Sequence, residues 1–129
     1  MKDMLKELME ELATDSEIQE IKQNQGFKSY VRYDELPKDK TSITIIPSGP
    51  PESVGFASND SLSKHFIFQV SIEAIQRDVP KKLQRKVEQI LKTKGFYQMS
   101  GGLDDYFSTT KRYVDARFYQ GNSQLYDDY

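Results

Sequence analysis

Residues 64–74 read KHFIFQVSIEA, and within them Phe66, Phe68, Val70, Ile72 and Ala74 take every second position. In an extended chain alternate side chains point to the same side, so these five form one apolar face and predict a core strand. The opposite face would carry His65, Ile67, Gln69, Ser71 and Glu73, a mixed set suited to solvent or to another chain. Nothing in the stretch has the character of a catalytic site.

The totals around this strand set limits. A chain of 129 residues is one domain's worth, with 36% hydrophobic and 29% charged residues and a mean hydropathy of -0.72. That is enough apolar material for a single two-layer packing under a heavily charged surface. Cysteine is absent, which excludes disulfides, thiolate metal sites and a cysteine nucleophile. The first fifteen residues interleave charges without a continuous apolar run, so the expectation is a soluble, cytosolically made protein with no signal peptide or membrane span. A net charge of -2 argues against a general nucleic-acid coat, which neutralises phosphates with a cationic excess.

Working outward, Met4, Leu5, Leu8, Met9 and Leu12 repeat at helical spacing and predict an amphipathic helix over 2–12. Ser16 followed by Gln19 has the form of a capping box for a short second helical turn through Ile18 and Ile21. Phe27 to Tyr33 alternates as a strand, and Thr41 to Ile46 is nearly all β-branched and predicts another. Residues 48–63 hold two adjacent prolines, two glycines and a polar string, and predict a long loop that either contacts a partner as an arm or stays disordered until a partner is present. After the core strand, Asp78 and Pro80 open a helix whose buried stripe is Leu83, Val87, Ile90 and Leu91, with Gly95 as its left-handed stop. A short strand over 96–99, a turn at Ser100-Gly101-Gly102 and a last strand over 106–119 follow. Arg112, Val114, Ala116 and Phe118 share one face of that last strand, against Tyr113, Asp115, Arg117 and Tyr119 on the other, and the tail over 121–129 is expected to be mobile. The predicted class is α+β: a single domain with a mostly antiparallel sheet of four to five strands, two main helices on one face and the long loop between strands two and three.

Candidate chemistry is sparse. His65 is the single histidine, so a triad and a two-histidine metal site are both excluded. Asp104-Asp105 and Asp127-Asp128 lack the ligand spacing of a calcium loop, and Gly101-Gly102 lacks that of a phosphate loop. RNA binding through stacked rings is disfavoured because Phe66 and Phe68 share the face that must be buried. No catalytic residue, metal or cofactor is expected. One asymmetry stands out: residues 1–20 carry seven acids against two lysines, and residues 77–94 carry seven bases against two acids. Either the two helices pair within one chain, or the acidic helix of one copy meets the basic helix of the next in a ring.

The stretch 43–121 resembles the small tail-completion, or tail-terminator, proteins of long-tailed bacteriophages of Gram-positive hosts. The residues that carry the likeness are Ile46-Pro47 leading to Gly49-Pro50-Pro51-Glu52, the run Ser58-Asn59-Asp60-Ser61-Leu62-Ser63 before the core strand, and Val87 to Leu91 with Gly95-Phe96. They end with Ser100-Gly101-Gly102 and the closing phrase from Arg112 to Gly121. The resemblance implies a sheet with two helices, a ring of six copies, and a place in the virion at the head-proximal end of the tail tube. There such proteins stop tube polymerisation and join the tail to the head connector, with DNA passing through unread. The implied partners are other copies, the major tail tube protein and the head-connector or stopper protein, with no membrane. Contact residues expected on this basis are Pro50, Glu52, Val54, Phe56 and Asn59 in the loop, and Lys82, Arg85 and Lys86 at the ring interface. Val54 and Phe56 have a second reading, in which they fold back on the sheet. The strong basicity of the second helix departs from expectation, since it would be awkward in a DNA-filled lumen. A head-side adaptor or minor capsid protein is the nearest alternative function, and an RNA-binding domain a remote one.

Overall fold

The structure, a computed structural model, describes residues 1–57, 60–125 and 127–129. Three helices, α1 (Met4–Leu12), α2 (Ser16–Gln23) and α3 (Asp78–Thr93), accompany six strands. The strands are β1 (Phe27–Ser29), β2 (Ser42–Pro47), β3 (Glu52–Ala57), β4 (Asp60–Ala74), β5 (Tyr97–Phe107) and β6 (Arg112–Asn122). The main run of the sheet is β1-β2-β4-β6-β5, and all its pairs are antiparallel except β1 with β2. This is the α+β class with a mostly antiparallel sheet that the order of predicted elements implies; the parallel β1–β2 pair and the sixth strand go beyond it.

The expected core face is the observed one. Phe66, Phe68, Val70, Ile72 and Ala74 are buried, and all but Ala74 join Ile43 and Ile45 of β2 and Tyr119 of β6 beneath the helices. The helices contribute Met4, Leu8 and Leu12 from α1, Ile18 from α2, and Leu83, Val87 and Leu91 from α3. Burying a leucine or isoleucine of this kind contributes about 1.5–3 kcal/mol before chain entropy is counted, so one face of the sheet carries most of the stability.

Most of the stretch predicted as a loop over 48–63 is strand, with residues 58–59 outside the described residues. Glu52–Ala57 pair with Asp60–His65 as a hairpin, along the edge of β4 that β2 occupies further on. Ser48 N–H still donates to Ile67 O, and then four residues, 48–51, stand opposite two, 66–67, before the ladder resumes. The prolines mark this bulge, where Pro cannot donate to a ladder, while the free edge of β4 supplies bonds that composition alone does not reveal. Past the last β6 partner, Asn122 opposite His65, β3 and the start of β4 extend as a two-stranded arm.

Other boundaries move for local reasons. The strand predicted over 27–33 stops at Ser29, because Tyr30 turns left-handed with φ 69° and leaves the sheet. Asp15, not Ser16, caps α2 by accepting from Glu17 and Ile18 N–H, and Asp78 lies inside the first turn of α3 without capping it. Gly95 is the left-handed stop, at φ 79°. Ser100-Gly101-Gly102 does not turn the chain; it bulges β5 between Met99 and Leu103, and the reversal falls at Ser108–Lys111.

The tail is docked, not mobile. Ser123 exchanges two bonds with the Lys64 backbone, Lys2 N–H donates to Asp128 O at 2.7 Å, and the Tyr129 ring sits edge-on to Phe66 at 5.4 Å. Its hydroxyl donates to Glu7 at 2.6 Å. Burial, and then the bond to Glu7, push this phenol above its ordinary range. A raised folded-state value means the contribution is whole below the unfolded value of about 10 and is lost as pH climbs past it. The expected result is an alkaline release of the tail, seen as phenolate absorbance and faster C-terminal proteolysis. Tyr129→Phe should abolish that step, and an unchanged titration would refute the assignment.

Candidate interaction surfaces

Among the described residues no group of three or more His, Cys, Asp or Glu side chains is placed to hold a metal ion. His65 bonds Asn122 directly across the strand pair at 2.6 Å. Buried Asp115 has both oxygens held by Arg117, at 2.9 and 3.2 Å, with Lys81 at 3.6 Å, so its lone pairs are already used. Lys81 also reaches Asp104 at 2.6 Å, and that bond holds the exposed Asp104 carboxyl below its usual range. The 500 Å³ depression around these groups is a neutralised ion network. Phe66 and Phe68 lie under the helices, where they cannot stack on bases.

The basic helix is drawn into its own chain. Lys86 lies 3.4 Å from Asp15 and 3.8 Å from Glu17 of α2, and Lys82 pairs with Asp78 one turn back at 3.1 Å. The intrachain alternative therefore accounts for Lys86, while Lys82 and Arg85 are exposed. Lys86→Glu should cost about 1 kcal/mol, because it sets a third carboxylate beside two others. An unchanged thermal midpoint at low salt would show the pairs to be idle.

Of the loop residues singled out, Pro50 is exposed and Glu52 is exposed opposite His65. Val54 is half-buried opposite Ser63. The Phe56 backbone pairs with Ser61, while its side chain, and Asn59 altogether, lie outside the described residues. The arm thus gathers Glu52, Val54 and Phe56 on one strand, with Pro50 at its root.

Pro50 also borders a groove of 780 Å³ on the helix side, lined by Tyr30, Pro47, Gly49, Phe66 and Tyr129 among others. Lys2 and Asp3 are its charged side chains, and Lys2 is tied to Asp127 at 3.0 Å. The groove is an apolar notch where β2 bends toward the arm.

The second face of the sheet is the surface that sequence reasoning left undecided. At one end the segment 30–41 folds over it: Leu36 is buried, and Arg32 sits near Glu73 and Arg112, which pair at 3.2 Å. Burial first, and then Arg112, lower the Arg32 pKa against the pull of Glu73. Beyond this end the strand register lines up three rows. The first is Ile46–Gln69–Phe118–Met99, the second Ile67–Gln120–Tyr97, and the third Thr44–Ser71–Ala116–Leu103. None of these eleven positions is acidic or basic, in a chain where 29% of residues are charged. Loss of charge with enrichment in Tyr, Phe and Met is the compositional mark of an interface centre. Tyr97 and Leu103, at 56% and 43% exposure, stand at its β5 edge. Alternation along the core strand flags Ile67, Gln69 and Ser71; the partners on β2, β5 and β6 emerge only once the register is known.

No family model matches this sequence, and no curated protein matches it.

Proposed function

We infer that the protein is a structural component of a phage virion, a tail terminator whose copies form a ring at the head-proximal end of the tail tube. In that role it ends tube polymerisation and joins the tail to the head connector, and DNA passes through the ring without sequence-specific contact. The observation that carries this reading is the uncharged three-row patch on the second face of the sheet, beside a projecting two-stranded arm. An uncharged, partly exposed sheet patch and a ribbon that is marginal by itself are features of a chain completed by neighbours. The α+β fold suits the resemblance, and the internally neutralised Asp115 network leaves the well-formed polar cluster without a free reacting group. In this role Pro50, Glu52, Val54 and Phe56 meet the tube, the connector or an adjacent copy, and Lys82 and Arg85 are the helix residues open to a neighbour.

The test is assembly. Added in small amount to polymerising tube protein, the chain should arrest elongation, and negative-stain images should show an annulus with a central hole. A phage lacking the gene should accumulate full heads beside unjoined tails of irregular length. Tubes that elongate unaffected, together with a chain that binds the connector alone, would reassign it to the head side; a chain with no effect on either would remove it from the junction.

A further inference from the structure

Among the described residues two buried side-chain polar atoms have no hydrogen-bond partner, Arg32 Nε and Ser42 Oγ, and both belong to the corner around Glu73. Ser42 is fully buried on β2 and stands directly opposite Glu73 in the ladder, so the two side chains share the second face of the sheet. Arg32 reaches the same corner from the covering segment 30–41. Charge is unbalanced there as well. Glu73 pairs with Arg112 at 3.2 Å, whereas Arg32 pairs with no described carboxylate and donates through Nη2 to Pro37 O at 3.2 Å. Two guanidiniums thus face one carboxylate, an excess of one positive charge. Asp105, on the same face across Val114, is exposed and accepts from Tyr106 N–H. We propose that Arg32, Arg112 and Ser42 form the seat of one oxyanion, a carboxylate or an ion of sulfate size, which pins the segment 30–41 to the sheet.

A buried donor left open costs about 1–3 kcal/mol, and native chains rarely leave two in one corner unless water or an ion fills it. Charge decides between those two occupants. A trapped water would satisfy the atoms and leave the positive excess in place. An oxyanion answers both, since Arg32 Nε–H and the Ser42 hydroxyl can donate to it and charge-assisted bonds are roughly twice as strong as neutral ones. Arg112 engages Glu73 through Nε, which leaves its outer nitrogens for the ion. The corner opens to solvent past Arg32, which is half-buried, and past Glu73, whose side chain is 21% exposed. It lies one row beyond Thr44 and Ser71 at the end of the uncharged patch, so the oxyanion is either a free ion or the acidic side chain of a neighbouring copy.

The seat stands whether or not the copies close into a ring. With sodium sulfate or acetate replacing sodium chloride at constant ionic strength, the thermal midpoint of the full chain should rise and saturate. Trypsin cleavage after Lys38 and Lys40 should slow in step. The general salting effect of sulfate does not saturate and acts on every variant alike. Arg32→Gln should weaken the apparent affinity for the ion at least about tenfold, and Ser42→Ala about threefold, while both keep the ion-free midpoint close to that of the wild type. Sedimentation separates the two sources: association that weakens both with added sulfate and in Arg32→Gln means a neighbour's side chain, and association indifferent to both means a free ion. Midpoints that follow sulfate equally in wild type and Arg32→Gln, with association unaffected, would mean that water fills the corner and would overturn the proposal.

Discussion

Gln84→Met should lower the stability of the folded chain by about 3 kcal/mol, one of the largest effects of any single change away from the apolar core. Gln84 is fully buried on α3, where it donates to Val70 O at 2.8 Å and Asp115 O at 2.9 Å and accepts from the Tyr119 hydroxyl at 2.8 Å. One side chain therefore ties α3 to the two central strands. Methionine keeps the volume, so little of the loss is cavity; it comes from two carbonyls and a phenol deprived of a partner, at about 1 kcal/mol each. Burial also drives the Tyr119 phenol above its ordinary range, so ionisation offers no relief near neutral pH. Tyr119→Phe alone should cost about 1 kcal/mol, and the double variant should fall short of the sum by a similar amount, because each change already orphans the other's partner. Thermal and urea unfolding of the four proteins gives the cycle. Additive losses would mean that the two side chains do not share a bond.

Gly102→Ala should cost about 3 kcal/mol, and its consequence should reach beyond stability. Gly102 has φ 114°, which an L side chain rarely adopts, and a Cβ there would run into the carbonyl oxygen of Ala116. Both penalties fall on the bulge in which residues 100–102 of β5 stand opposite Arg117 alone. That bulge interrupts the outer edge of β5, and the adjoining Gly101 lies against the Phe118 ring. A long, regular edge strand invites another chain to pair along it. If alanine forces the strand regular, the variant should both melt earlier and aggregate on its way to unfolding, readable by light scattering during a thermal scan. A variant with the wild-type midpoint would show that the bulge tolerates a side chain and has no such role.

The loop expectation failed for a reason that generalises. Residues 48–63 are poor in strand formers and rich in Gly, Pro and Ser, so local preference argues against a strand. The ladder forms because β4 is fifteen residues long and β2 covers one part of its edge, leaving the rest for β3. The tail likewise has no apolar run, and it is held by one ring on Phe66 and a few bonds to residues more than a hundred positions away. Neither arrangement has a short-range signature.

Gln84 shows the same limit from the other direction. It sits one residue after Leu83 and three before Val87, inside the apolar stripe of α3, and that position is the single hint a reader of the chain has. Its partners lie 14 to 35 residues away, set by how far α3 rotates over the sheet. The charge asymmetry of the first and third helices was plain in the residues, but whether Lys86 answers to its own chain depended on α2 lying alongside α3.

By itself the sequence determined the fold class, the buried face of the central strand, the positions of α1 and α3, and the absence of cysteine chemistry. Those properties follow from periodicity and composition, which act between near neighbours and survive without knowledge of what packs where. Tertiary structure alone decided that 52–57 is a strand, that the tail is docked, and that eleven uncharged positions from four strands share one face, with Thr44 and Ala116 buried among them. Each depends on pairing register between distant segments, and a shift of one residue in any ladder would turn those side chains to the other side.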